Sequence, residues 1–153
     1  MHDKLCRELL SFRVGAQEFC VDIMAVREIR GWTPATPLPH APVYVRGVVN
    51  LRGAVLPIVD LAERIGLGRA EPTPQHVIIV VQVGTHLGTQ LVGLLVSAVC
   101  DILTVTEEMI QSTPEVAAPQ TKAFVQGLLT VESRMLGILR IDHLISEPVA
   151  EAA

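Results

Sequence analysis

Aromatic side chains are scarce in this 153-residue sequence, which holds three Phe, one Trp and one Tyr. Rings so few and so scattered make no stacking platform for single-stranded nucleic acid. Basic residues are thin as well. Twelve Lys and Arg face 16 Asp and Glu, a formal charge of −4, and no basic stripe marks a face for nucleic acid. The longest apolar runs, VIIVV (77–81) and LVGLLVSAVC (91–100), are too short to cross a bilayer. The opening MHDKLCREL is charged and has no apolar h-region, so no signal peptide is expected. Cys6, Cys20 and Cys100 form no CxxC pair and read as reduced thiols of a cytoplasmic protein.

A legible active site is missing too. His2, His40, His76, His86 and His143 have no close spacing that would build a metal cluster. Cys100-Asp101 shows no histidine partner and lies on an apolar strand, so it reads as a structural thiol. GTHLG (84–88) lacks the strand-to-helix context of a phosphate loop and reads as a hairpin turn. Asp60 and Glu63 read as caps or surface charge rather than an acid–base pair. The expectation is a chain with no catalytic, cofactor-binding or metal-binding residues.

What is present is aliphatic β structure. Half the residues are hydrophobic and 18% are charged, which excludes a disordered chain and provides for one sizeable core or two small ones. Tyr44 to Leu61, YVRGVVNLRGAVLPIVDL, reads as two strands joined at Arg52-Gly53, since Gly turns with positive φ at no steric cost. Val55 to Val59 is apolar on both faces and should be covered on both. Pro57 cannot donate to a ladder and is expected at an edge or a bulge. Residues 125–141, VQGLLTVESRMLGILRI, align without a gap with 45–61, which begin 80 positions earlier. Residues 92–102 resemble 19–29 in the same way, 73 positions on. Two matches in the same order indicate a duplicated β unit and two similar subdomains.

The rest of the chain follows in order. Glu8 to Val14 and Glu18 to Ile23 read as paired strands, and Met24 to Ile29 as a helical turn or two, because Val26 and Ile29 stand at i, i+3. Pro34, Pro37, Pro39 and Pro42 make the next stretch an extended connector. Leu61 to Leu67 reads as a short helix stopped by Gly66 or Gly68, and 69–75 as the boundary between subdomains. Strands at VIIVVQV, LVGLLVSAV and CDILTV follow, the first two separated by the GTHLGTQ turn. Thr106 reads as an N-cap, a Pro/Ala loop comes next, then the second hairpin and a last short helix near DHLIS. Glu28, Arg30, Arg46 and Arg52 are polar residues beside apolar surface. Their bland reading is a solvated helix end or hairpin tip. A β protein with aliphatic surface and no chemistry uses its strand edges to pair with other proteins.

QEFCVDIMAVREIRGW (17–32) followed by PLPHAPVYVRGVVNLRGAVLPIVDL (37–61) resembles the bacterial chemotaxis coupling proteins, the CheW-like family. The likeness runs from about Leu9 to about Ile145, and VRGVVNLRG…PIVDL is its most specific block. The resemblance implies an all-β fold of two small five-stranded barrels side by side. Within one domain over 1–153, that gives subdomains near 15–70 and 76–145, with terminal strands open to exchange. It also implies a non-enzymatic adaptor, without cofactor or nucleic-acid partner, that joins the regulatory domain of the histidine kinase CheA to the cytoplasmic tips of chemoreceptors. Such an adaptor is cytoplasmic and recruited to membrane-associated arrays without inserting in the membrane. By the family motif, Val26 and Gly47 fall at positions linked to kinase contact, and Glu28 and Arg52 near receptor contact. Ser97-Ala98 stands where the family often has Asp-Gly, and the GTHLGTQ turn reads as longer than usual. The short tails leave no room for a kinase core or receiver, so a stand-alone form is expected. The alternatives are a paralogue serving a pilus-motility or other non-flagellar array, and a small-molecule-binding barrel or enzyme.

Overall fold

The computed structural model describes residues 6–85, 88–114 and 123–144. The strands are β1 (Cys6–Val14), β2 (Gln17–Asp22), β3 (Val26–Gly31), β4 (Val45–Leu51), β5 (Ala54–Asp60), β6 (Val77–Thr85), β7 (Gly88–Val96), β8 (Ala98–Thr106), β9 (Ile110–Gln111), β10 (Val125–Val131) and β11 (Arg134–Leu139). A short helix, α1 (Leu61–Arg64), and single 3-10 turns at Ile23–Ala25, Glu107–Met109 and Ile141–His143 lie between the strands or after the last of them. The expected all-β class holds.

The strands form two sheets, ordered β8-β1-β2-β11-β10-β9 and β3-β6-β7-β5-β4. The duplication is visible in both orders. β1, β2, β8, β10 and β11 occupy in one sheet the places of β6, β7, β3, β4 and β5 in the other. The parallel pairings agree residue by residue: Ile138 faces Cys20 and Ile58 faces Gly93, the same pair under the offsets of the two sequence matches. Each sheet therefore mixes the halves of the chain, with residues 26–96 supplying one and 6–22 with 98–139 the other.

The paired hairpins turn alike. Arg52 and Gly53 have φ of 50° and 88°, and Glu132 and Ser133 have 48° and 69°. Positive φ at both central residues is the two-residue turn whose twist matches that of the strands it joins. Pro57 stands within β5 rather than at an edge or a bulge. Its partner Val48 directs both backbone groups outward to Thr36, so the Val48–Pro57 pair needs no donor, and the β7 ladder starts only at Ile58. The helix expected over 24–29 is replaced by one 3-10 turn capped by Asp22 and then by β3. A bulge between Val26 and Glu28 breaks the alternation and mimics helical spacing. The GTHLGTQ stretch is mostly strand, since the β6–β7 ladder runs on to Thr85 and Gly88. His86, the Pro/Ala loop and the chain end lie wholly or partly outside the described residues.

Consecutive residues of β1, β2, β5, β7 and β11 are buried on both faces because there are three cores. Phe12, Val21, Val59, Ile79, Val81 and Leu94 meet between the sheets. Leu9, Cys20, Leu129 and Ile138 fill the six-stranded sheet, while Leu51, Leu56, Ile58 and Val80 fill the five-stranded one. Ser11 is a fully buried polar residue at the β1 bulge between Leu10 and Phe12. Its hydroxyl accepts from the Asp101 N–H at 3.0 Å and donates to the Asp101 carbonyl at 3.1 Å, standing in for the interrupted ladder. Ser11→Ala leaves both groups unpaired and is expected to cost about 1–3 kcal/mol. Urea denaturation checks this as a lowered midpoint at unchanged slope.

Candidate functional site

Glu28 and Arg52 come together. Arg52, at the β4–β5 turn, donates Nη2–H to Glu28 Oε1 at 2.6 Å, and Arg30 donates Nη1–H to Glu28 Oε2 at 2.9 Å. β3 and β4 are opposite edges of the five-stranded sheet. Joining them through side chains requires the sheet to curl round, although among the described residues no ladder joins β3 to β4. The Arg52 side chain is 70% exposed and that of Glu28 26%. The Arg52 hydrogen bond first, then that of Arg30, holds the Glu28 carboxyl below its ordinary value, and Glu28 in turn raises Arg52. The sequence singles out Arg30 with Glu28, but reading 24–29 as helix conceals their pairing. On a strand, residues i and i+2 share a face, which puts Arg30 beside Glu28.

Val26 and Gly47 are not part of that cluster. Val26 is half-buried on β3 against the core between the sheets. Gly47 is buried on β4 at a bulge, with φ of 140°.

Other polar groups hold the fold. Asp60 is 1% exposed, so it is not surface charge, though it does cap α1 by accepting the Glu63 N–H at 3.2 Å. Its Oδ2 accepts from Arg46 Nη1 at 3.1 Å and from Ala70 N–H at 3.0 Å, and the same Arg46 Nη1 donates to the Ala70 carbonyl. A cavity of about 590 Å³ opens between elements of both sheets, lined by Arg7, Asp22, Arg27, Gln82, Arg140 and Asp142 among others. Several of these groups are already engaged: Asp22 accepts from Met24 N–H, Asp142 from Gly84 N–H, and Arg27 donates to Gln82 and the Met24 carbonyl. Among the described residues, no group of three His, Cys, Asp or Glu is placed to hold a metal ion. No described helix is long and apolar enough to cross a membrane.

Burial pushes the Cys20 thiol up to about 12, with Arg7 drawing it part of the way back. Burial is also the main cause raising Cys100. Cys6 is exposed. Because the thiolate is the nucleophile, iodoacetamide at pH 8 is expected to alkylate Cys6 at least a hundredfold faster than Cys20. Peptide mass spectrometry reads the two rates, and comparable labelling would show that the β2 strand opens in the native state.

A model of the CheW-like domain matches residues 8–149. The chain belongs to that family. Chemotaxis protein CheW of Rhizobium meliloti (strain 1021) is 58% identical over 147 residues, 96% of this chain and 92% of that protein. Chemotaxis protein CheW of Klebsiella aerogenes is 34% identical over 140 residues, 92% of this chain and 82% of that protein. Among solved structures, the scaffolding protein TtCheW from Thermoanaerobacter tengcongensis has a TM-score of 0.82 at 29% identity, covering 94% of each chain. With CheW-like membership comes the role of a chemotaxis scaffold.

Proposed function

We propose that this chain is a non-catalytic adaptor that joins the regulatory domain of the histidine kinase CheA to the cytoplasmic tips of chemoreceptors. It works in the cytoplasm, recruited to membrane-associated arrays. The observation that carries this reading is the CheW-like match over residues 8–149, which takes in all four motif positions. Glu28 and Arg52 form the receptor side, and their paired, part-exposed charges at a sheet edge support it. Val26 and Gly47 belong to the kinase side. The two sheets are the two subdomains of one domain, with the first two strands of each half exchanged.

The test is capture of the purified kinase regulatory domain by the purified chain, followed by kinase stimulation with receptor present. Binding of both partners is expected, with receptor-dependent activity only when the chain is added. Failure to bind the regulatory domain at micromolar concentrations sinks the reading.

A further inference from the structure

The 80-residue repeat brings pairs of counterparts together at the core between the sheets. Tyr44 stands immediately before β4 and Phe124 immediately before β10. Each is fixed by the same backbone bond. The Asp60 N–H donates to the Tyr44 carbonyl at 2.7 Å, and the Arg140 N–H to the Phe124 carbonyl at 2.8 Å. A further pair of counterparts is Arg64, the last residue of α1, and Leu144, just after the final 3-10 turn. Here the halves differ in chemistry. The Arg64 guanidinium lies over both rings, 4.1 Å from the Tyr44 centroid and 4.7 Å from that of Phe124. Its Nε–H donates to the Leu144 carbonyl at 2.6 Å. One side chain of the five-stranded half therefore holds a ring and a carbonyl of the other half.

We infer that Arg64 is a positioning residue that fixes the angle between the two sheets. Packing alone does not call for an arginine: Leu144, at the counterpart position, is 1% exposed within the core between the sheets. Arg64 is half-buried, so its charge is drawn partly out of water, and the contacts it makes there offset that cost. Apolar burial is non-directional, so it sets how closely the sheets approach and leaves their angle loosely held. A planar guanidinium against a ring of each half, with one N–H bonded across, has a fixed plane and a fixed direction. Two other ties join the sheets. Ser97 N–H donates to the Arg13 carbonyl at 2.9 Å where the chain passes from β7 to β8, and Gly84 N–H donates to Asp142 in the final 3-10 turn. Arg64 adds the aromatic ends of both hairpins to these. For a scaffold, the angle between the sheets decides how faces on the two halves are presented.

The test is the set of backbone amide residual dipolar couplings of the whole chain in a weakly aligning medium. In wild type, one alignment tensor is expected to fit both sheets. Arg64→Met keeps a long apolar stem but loses the charge, the flat stack and the bond to Leu144. Each of its sheets should still fit a tensor of its own, while the tensor of one no longer predicts the couplings of the other. A common tensor that still fits both sheets of Arg64→Met overturns the inference. So does a poor fit within each sheet, which makes Arg64 a packing residue of the whole fold. If Arg64→Met does not fold, Arg64→Lys decides on the same criterion, since it keeps the charge and loses the planar stack and the Nε–H bond.

Discussion

Arg52→Glu is expected to weaken receptor–kinase coupling on the order of a hundredfold while the melting temperature moves by no more than about 3 °C. Two unequal effects give this result. In the free chain Arg52 is a largely exposed turn residue, and its ion pair with Glu28 is shared with Arg30, which stays in place. Exposed pairs contribute little to folding because water and salt screen them. At an interface the same reversal sets a carboxylate against whatever pairs there with Arg52, and puts two Glu side chains side by side. Receptor-stimulated kinase activity in a reconstituted array, beside a melting curve, separates the two effects. A variant that couples like wild type makes Arg52 a solvated tip, and one that melts much earlier makes it structural. The pH dependence has a definite sign. Glu28 has a lowered folded-state pKa, so its pair is intact above the ordinary carboxylate value and is lost as pH falls through the depressed one. Coupling should therefore be flat between about pH 6 and 8 as far as this pair is concerned, because Glu titrates near 4.3 when unperturbed.

Asp60→Asn carries the largest expected loss of stability, about 3–5 kcal/mol, because it strips the partner from a charge that is mostly out of water. Asp60 is 1% exposed and Arg46 13%. Three donors converge on the carboxylate: Arg46, Ala70 N–H and Glu63 N–H. An amide must turn its NH₂ toward at least one of them, and Arg46 is left without a charged partner, facing neutral oxygens only. The segment from α1 to Ala70 should loosen with it. Arg46→Met is the contrast. It removes the charge but leaves Asp60 its two backbone donors, so a smaller loss is expected. Urea unfolding of both variants gives the comparison, and a loss below about 1 kcal/mol for Asp60→Asn would show that water compensates the site.

The hairpins were legible because their turns, their apolar alternation and their repeat 80 positions apart all report local geometry. β3 was not, since a bulge between Val26 and Glu28 gives a strand the spacing of a helix. With β3 misread, Glu28 became a helix end, and its bond to Arg30 could not be foreseen. Gly84, Thr85, Gly88 and Thr89 looked like a loop because their side chains are small or polar, yet ladder bonds are made by backbone and tolerate them. The placement of Asp60 was half legible. A cap can be read from Asp followed by a helix, but burial depends on Arg46 and Ala70 folding over it. Nor does a hydrophobic pattern say which strand lies alongside: alternation records that a face is covered, not by what.

The mixing of halves between sheets bears on the order in which the chain acquires structure. The strands of the five-stranded sheet are contiguous in sequence, from 26 to 96, whereas β1 must wait for β8, which ends at residue 106, and β2 for β11, which ends at residue 139. At about 5–20 residues per second of synthesis, the stretch from Asp22 to Leu139 takes roughly 6–23 seconds. Until then the outer edge of β2, which β11 covers in the folded chain, is open to pairing with another nascent chain. A fragment ending at Val96 is expected to protect β5–β7 from proteolysis while β1 and β2 are cut. Equal protection of both regions would mean that the N-terminal strands find a provisional partner of their own. Dependence on holdase chaperones during translation, and not once the chain is folded, is the physiological trace such an arrangement leaves.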